Sequence, residues 1–235
     1  MPKPQEEPEP AVTVNEKIRA FYEALSASYG PQHWWPAPTP FEVCVGAILT
    51  QNTSWGNVER ALANLKQAGV LSPEALWALP PEELAELIRP AGYYRLKAGR
   101  LRNFLDLVVN SYGGSLERLF ELPTDRLRQE VLAVSGIGPE TADSMLLYAA
   151  SRPVFVVDAY TLRIAFRHGI VDQECDYDLL QETFAGALEP DVALFNEYHG
   201  LLVQVGKLHC RKREPSCVGC PLERFLEPGE PCEPL

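Results

Sequence analysis

A chain of 235 residues with 46% hydrophobic residues can bury one large core or two small ones, and so does not need disulfide staples to fold. Its net charge of −11 excludes a protein that coats nucleic acid over its whole surface, although a local basic patch can still steer an anion to one face. No apolar run approaches the roughly eighteen residues that a membrane-spanning helix requires, so no membrane partner is expected.

The opening MPKPQEEPEPAV is acidic and proline-rich where a signal peptide would be basic and then apolar, and it lacks the apolar content to pack. Residues 1–12 are therefore expected to form a disordered tail, and the protein to be cytoplasmic. VNEKIRAFYEALSASYG places Ile18, Phe21, Tyr22 and Leu25 at helical spacing and stops at Gly30, a candidate left-handed cap. TPFE puts Thr39 at N-cap, Pro40 at N1 and Glu42 at N3, a capping box opening the apolar helix FEVCVGAIL. LSPEAL, LPPEEL and LPTDRL each mark a further helix start after a short connection. Only PVFVV, 153–157, has strand composition, and it is too short to build a sheet on. The expected class is all-α, in two helical lobes: 13–40 plus 151–235, and 41–150.

Residues 134–143, VSGIGPETAD, join two short helical stretches through a Gly-Ile-Gly turn. Glycine at 136 and 138 permits positive φ, so that turn N–H groups and the free N–H groups of the next helix can point outward together and bind an anion. A glycine-capped hairpin with no ligand is the plainer alternative. Twenty residues on, in VVDAYTLRIAFR, Asp158 stands just before another helix, where it can cap the first turn or face a cleft.

The glycine turn followed by Asp158 resembles the helix-hairpin-helix DNA glycosylases of the endonuclease III superfamily. That resemblance implies a fold with a DNA cleft between two lobes, Gly136 and Gly138 gripping a DNA phosphate, and Asp158 as the catalytic carboxylate. It implies duplex DNA with a damaged base as the partner of a nucleoid-associated monomer.

Six cysteines fall unevenly, with Cys210, Cys217, Cys220 and Cys232 crowded near the C-terminal end at a spacing of C-x6-C-x2-C-x11-C. In a reducing compartment four such thiols hold zinc or an iron-sulfur cluster more readily than they form disulfides. Endonuclease III relatives carry a similar tail around a 4Fe-4S cluster, with the same first two gaps. The last gap is longer here, and Cys232 is the only thiol left to serve as fourth ligand. A structural zinc site remains the alternative. Arg211, Lys212 and Arg213 lie in the first gap, which resembles the family's basic loop that meets the DNA backbone.

In the family's bifunctional members a lysine attacks the sugar and forms an imine. Glu140 occupies that position here, and a carboxylate cannot form one, which points to a monofunctional enzyme. The plainer role for Glu140 is a first-turn acid favoured by the helix dipole. HWWPAPTPFEVCVGAILTQNTSW sets Trp34, Trp35 and Pro36 before one helix and Trp55 after it, an arrangement that resembles the 3-methyladenine DNA glycosylase branch. In that branch the aromatic residues form the base pocket, and the plainer alternative is that these tryptophans are core residues. Trp34 and Trp55 are then the expected stacking pair, Trp35 and Pro36 the wall, and Lys207 a neighbour of the pocket. A base with positive charge leaves readily and is held by aromatic faces, a contact worth roughly 0.5–2 kcal/mol beyond area.

Gln51 in TQNT matches the family's wedge glutamine, and Tyr93 an apolar wedge, both needed to fill the gap left by an extruded base. Around Tyr93 lie Arg89, Arg95, Lys97, Arg100 and Arg102, either a solvated helix face or a phosphate track. Three rivals stand beside this reading: a bifunctional enzyme for oxidised pyrimidines, a mismatch adenine glycosylase, and a protein that binds damaged DNA without cutting it.

Overall fold

The structure, a computed structural model, describes residues 13–35, 37–227 and 229–231. The acidic tail of 1–12, Pro36 and Cys232 lie outside the described residues. Among those described there are helices and turns but no strand, and 153–157 runs as an extended segment without a sheet. The fold is all-α, as the sequence pattern implies.

One compact unit comprises 33–158 and 190–200. Its centre is α2, Pro40–Thr50, in which every residue from Phe41 to Leu49 is buried. A helix apolar on all sides has to be covered all round. Around it pack α3 (Trp55–Gln67), α6 (Tyr94–Asp106) and α9 (Pro139–Ser144), with a π-helical stretch, Met145–Ala149, continuing from α9. The shorter α4 (Pro73–Ala78), α5 (Pro81–Leu87), α7 (Leu116–Phe120) and α8 (Thr124–Leu132) also belong to this unit, as does the first half of α12 (Val192–Leu208). The three punctuation marks in the sequence do open helices, with Pro73 and Pro81 in the first turns of α4 and α5 and Thr124 as the first residue of α8.

Thr39 caps α2 by accepting the Glu42 N–H at 3.2 Å. The reciprocal half of the expected capping box is absent, because the buried Glu42 carboxylate pairs instead with Lys66 of α3 at 2.5 Å. A full box forms at α1, Val14–Tyr29, between Thr13 and Glu16. Gly30 ends α1 at φ +64°, ψ −169°, a conformation open to glycine but outside the left-handed helical region expected for it.

The other unit takes the described residues of 1–32, 159–189 and 201–235. It contains α1, α10 (Ala159–Arg167), α11 (Tyr177–Gly186) and the second half of α12 (Val192–Leu208). Ile18, Phe21 and Leu25 of α1 are fully buried here with Ile164, Leu180, Phe184 and Val205.

Candidate active site and cysteine tail

The glycine turn between α8 and α9 is built from several directions. Ile137 is buried, and its N–H donates to Val134 at 3.1 Å, closing the turn on the core. Gly136 adopts φ +92°, and a Cβ placed on it would collide with Arg100 Cγ. Asn103 Nδ2 donates to the Ser135 carbonyl at 3.0 Å, so α6 supplies two supports. Beneath the turn, Arg128 of α8 grips the fully buried Asp143 of α9 through Nε at 2.7 Å and Nη2 at 3.1 Å. Gly138 differs from the expectation of positive φ at both glycines: it sits at φ −96°, ψ 177°, which any residue can adopt. Open space surrounds the position where its Cβ would stand. Glycine at 136 is thus demanded by the protein itself, and glycine at 138 leaves room for something outside it.

Gln51 follows α2 and reaches into this turn. Its Nε2 donates to the Gly136 carbonyl at 3.1 Å and to Thr141 Oγ1 at 3.0 Å, and its Oε1 accepts from Arg100. The proposed wedge residue is therefore held by the hairpin in this state.

Glu140 stands in the first turn of α9. Protein packed around its carboxyl, together with the charge of nearby Asp158, raises it to about 7. Asp158 precedes α10 with its side chain 13% exposed, and His199 Nε2 lies 4.0 Å from its Oδ2. Both carboxylates also act on Tyr148, whose phenol is pushed well above its usual range by burial first and by those charges second, so it remains a hydrogen-bond donor. Tyr148 projects from the π-helical stretch after α9, an irregularity frequent at functional sites.

The aromatic residues gather beside these acids. Trp35 is stacked on Tyr148, with centroids 5.0 Å apart and planes at 19°, while Trp55 meets Trp35 edge-on at 5.0 Å. Trp34 meets Trp35 at 6.5 Å and His199 at 5.7 Å. Trp35, assigned to the wall, is thus the hub that Trp34 and Trp55 flank. Gly46 of α2 permits the approach, since its Cβ would stand 3.3 Å from Trp35 Cζ2. Trp35 takes φ +58° and His33 φ +48°, two left-handed non-glycine residues on either side of Trp34. Strain of this kind costs about 1–3 kcal/mol per residue and persists where surroundings fix it. Sequence reading missed both Tyr148 and His199. Tyr148 lies eight residues after Glu140, a helical spacing that was available as a signal; His199 offered none.

The basic stretch of α6 separates into different roles. Tyr93 is 71% exposed at φ +46°, ahead of the first turn, and Arg95 is exposed beside it. Lys97 corrects the expectation of a phosphate contact: it is 1% exposed, and its Nζ donates to the Leu49 and Ala91 carbonyls, each at 2.8 Å. Burial and the adjacent Arg100 lower it to about 8. Its ammonium stabilises the carboxyl end of α2. Arg102 is bound to the Leu79 carbonyl at 2.7 Å, and Arg89 pairs with Glu86 at 3.3 Å.

In the other unit, Cys210, Cys217 and Cys220 line one cavity with Arg167, His168 and His209. The buried Arg167 donates from Nη1 to Cys210 Sγ at 3.4 Å and to the Arg211 carbonyl at 2.7 Å. Burial, and then the neighbouring Cys210 and Cys217, push the Cys220 thiol up. Among the described residues no group of three or more His, Cys, Asp or Glu converges on a single metal ion. Arg211, Lys212 and Arg213 are exposed in the first gap, and Lys207 is exposed in the last turn of α12. Beyond Cys220 the chain is fastened back by Lys17, whose Nζ donates to the His168 carbonyl at 2.8 Å and pairs with Glu227 at 3.2 Å.

Residues 45–190 match the family model of the HhH-GPD superfamily of base excision DNA repair proteins. The chain belongs to that family. A protein of Methanocaldococcus jannaschii provisionally named a DNA repair glycosylase is 47% identical over 89% of this chain and 96% of its own length. Endonuclease III of Thermotoga maritima is 31% identical over 80% of this chain and 83% of its own. Among solved structures, an H. pylori 3-methyladenine DNA glycosylase bound to 1,N6-ethenoadenine aligns with a TM-score of 0.71 and 29% identity, covering 83% of this chain and 97% of that one. This HhH-GPD protein is a DNA glycosylase in activity class. Among the described residues no helix is long and apolar enough to cross a membrane.

Proposed function

We propose that this glycosylase is monofunctional and removes alkylated purines from duplex DNA. The observation that carries the reading is Glu140 in the first turn after the glycine hairpin, close enough to Asp158 to feel its charge. A carboxyl cannot form an imine with the sugar, so strand cleavage by that route has no nucleophile. Asp158 then stabilises the positive charge that develops on the sugar as the base departs, and assists the attacking water. The aromatic group of Trp34, Trp35, Trp55 and Tyr148 suits a base that already carries positive charge. Likeness to the 3-methyladenine enzyme of H. pylori supports this substrate class, and likeness to endonuclease III supports the bifunctional rival.

Gly136, Gly138 and the α9 amides hold a phosphate, Arg95 and the Arg211–Lys212–Arg213 loop track the backbone, and Tyr93 fills the gap left by the base. Gln51 joins it once released from the hairpin. Lys207 takes no part in this scheme. We assign Cys210, Cys217, Cys220 and Cys232 to a 4Fe-4S cluster. Cys210, Cys217 and Cys220 share one cavity wall, and soft thiolates supplied four at a time suit iron-sulfur ligation. Arg167 donates to Cys210 Sγ and places a positive charge beside that thiol. Such a cluster would cross-link the tail, and base release needs no electron from it.

The test is release of free bases from methylated duplex DNA by the wild type and by Asp158→Asn, with strand nicking read before and after alkali. Release of 3-methyladenine by the wild type alone, with nicks only after alkali and no borohydride-trapped adduct, is expected. A trapped adduct would favour the bifunctional reading. DNA binding without release by either protein would favour a non-catalytic damage-binding protein.

A further inference from the structure

We propose that His199 is a positioning residue for Asp158, keeping the carboxylate in its reactive state only while its own imidazole is neutral. The inference rests on the reading of Asp158 as the catalytic carboxylate. His199 belongs to α12 and is 5% exposed. Its Nδ1 lies 2.9 Å from the Val156 carbonyl oxygen, an acceptor that has no proton to give. Nδ1 therefore carries the hydrogen in both charge states, and Nε2 is the atom that gains or loses one. That atom is 4.0 Å from Asp158 Oδ2.

The geometry makes the two charge states opposite in effect. With Nε2 unprotonated, a lone pair faces Asp158 and the imidazole sets no positive charge against the carboxylate. With Nε2 protonated, an imidazolium pairs with the same carboxylate and cancels the field the reaction uses. Val156 anchors one nitrogen of the ring, and two aromatic rings stand tilted and edge-on beside it. Trp34 stands at 5.7 Å and Tyr148 at 6.1 Å. The titratable groups around His199 are Asp158, ahead of α10, Tyr148 of the π-helical stretch, and Glu140 of α9, whose charge reaches both. Tyr148 stays a phenol throughout, so the proton on Nε2 and the one on Glu140 are the two to separate.

Single-turnover release of 3-methyladenine from methylated duplex DNA, followed from pH 5 to pH 9, separates them. His199→Asn keeps an N–H donor for the Val156 carbonyl and removes the titrating Nε2. Wild type should lose rate toward acid by up to about tenfold per pH unit, the slope of one proton. His199→Asn should lack that limb, with DNA affinity at pH 8 within about twofold of wild type, whereas Glu140→Gln should retain it. An unchanged acid limb in His199→Asn, or its disappearance in Glu140→Gln alone, would overturn the proposal. If the Asn variant does not fold, an NMR titration of the His199 imidazole in the wild type replaces it, and a midpoint away from that of the acid limb would overturn the proposal. Asp158→Asn separates the two readings: wild-type release by that variant removes the catalytic role of Asp158 itself, while its inactivity beside an unaltered His199→Asn profile removes only the role of His199.

Discussion

Gln51 donates to the carbonyl of Gly136 at 3.1 Å, across 85 residues of chain, and so ties the end of α2 to the glycine turn. The two glycines of that turn do different work, and substitution separates them. Gly136→Ala forces a side chain into φ +92° and against Arg100. It should lower stability by about 1–3 kcal/mol in thermal or denaturant unfolding. Gly138→Ala meets neither obstacle and should stay within about 0.5 kcal/mol of wild type. Its methyl nevertheless occupies the open space beside the first turn of α9, so DNA binding should weaken. Equal loss of stability in both variants would contradict this division.

Lys97 and Arg95 sit two residues apart and should respond in opposite ways. Lys97→Met leaves the Leu49 and Ala91 carbonyls buried without their donor, at a cost of about 1–3 kcal/mol for each. The salt dependence of DNA binding should not change. Arg95→Ala should leave stability within about 0.5 kcal/mol and reduce the salt slope of binding by about one counterion. Titrations at several salt concentrations, paired with melts, read both.

The burial of Lys97 was available in the sequence, since Lys97, Leu101, Phe104 and Val108 follow helical spacing and share the core-facing side of the helix. Its membership in a run of cations concealed this. Helix starts were easy to read because proline and a capping serine or threonine act locally, as at Ser72–Pro73. Asp158 and Glu140 were likewise readable, through their distance along the chain from the glycine turn. His199 was not, because only folding brings α12 to the Val156 carbonyl. The left-handed backbone at Trp35, Asn52 and Tyr93 was equally hidden, as residue type alone does not forecast φ in tryptophan or tyrosine.

Arg128→Ala tests the clamp between α8 and α9. It takes away the guanidinium that makes two hydrogen bonds to a fully buried carboxylate. Loss of one partner from such a pair costs about 3–5 kcal/mol. Asp143→Asn leaves no buried charge behind and should cost distinctly less. Denaturant unfolding of the two variants measures the difference, and the reverse order would show that Asp143 is compensated elsewhere.

For the cysteine tail, purified protein should be brown and contain iron and acid-labile sulfide. Cys217→Ser and Cys220→Ser should each lose most of both, together with the visible absorbance. Elemental analysis settles the metal. A colourless protein with one equivalent of zinc would replace the cluster with a structural zinc site, and the same serine variants would then lose zinc.

Glu140 sets a pH dependence whose sign is fixed by the direction of its shift. Its carboxyl is raised from 4.5 to about 7, so between those values the folded protein holds a proton that the unfolded chain has released. Stability contributed by this group is therefore full below about pH 4.5 and falls as pH rises through 7. Above that window the folded state carries an unfavourable charge beside Asp158. Glu140→Gln removes the ionisation and should melt at a higher temperature than wild type at pH 8, with little gain at pH 4. In Asp158→Asn one of the two causes of the shift is gone, so the falling limb should move toward lower pH. Melting curves of the three proteins across this range give the answer, and a Glu140→Gln advantage that does not vary with pH would mean that the side chain acts through packing instead of charge.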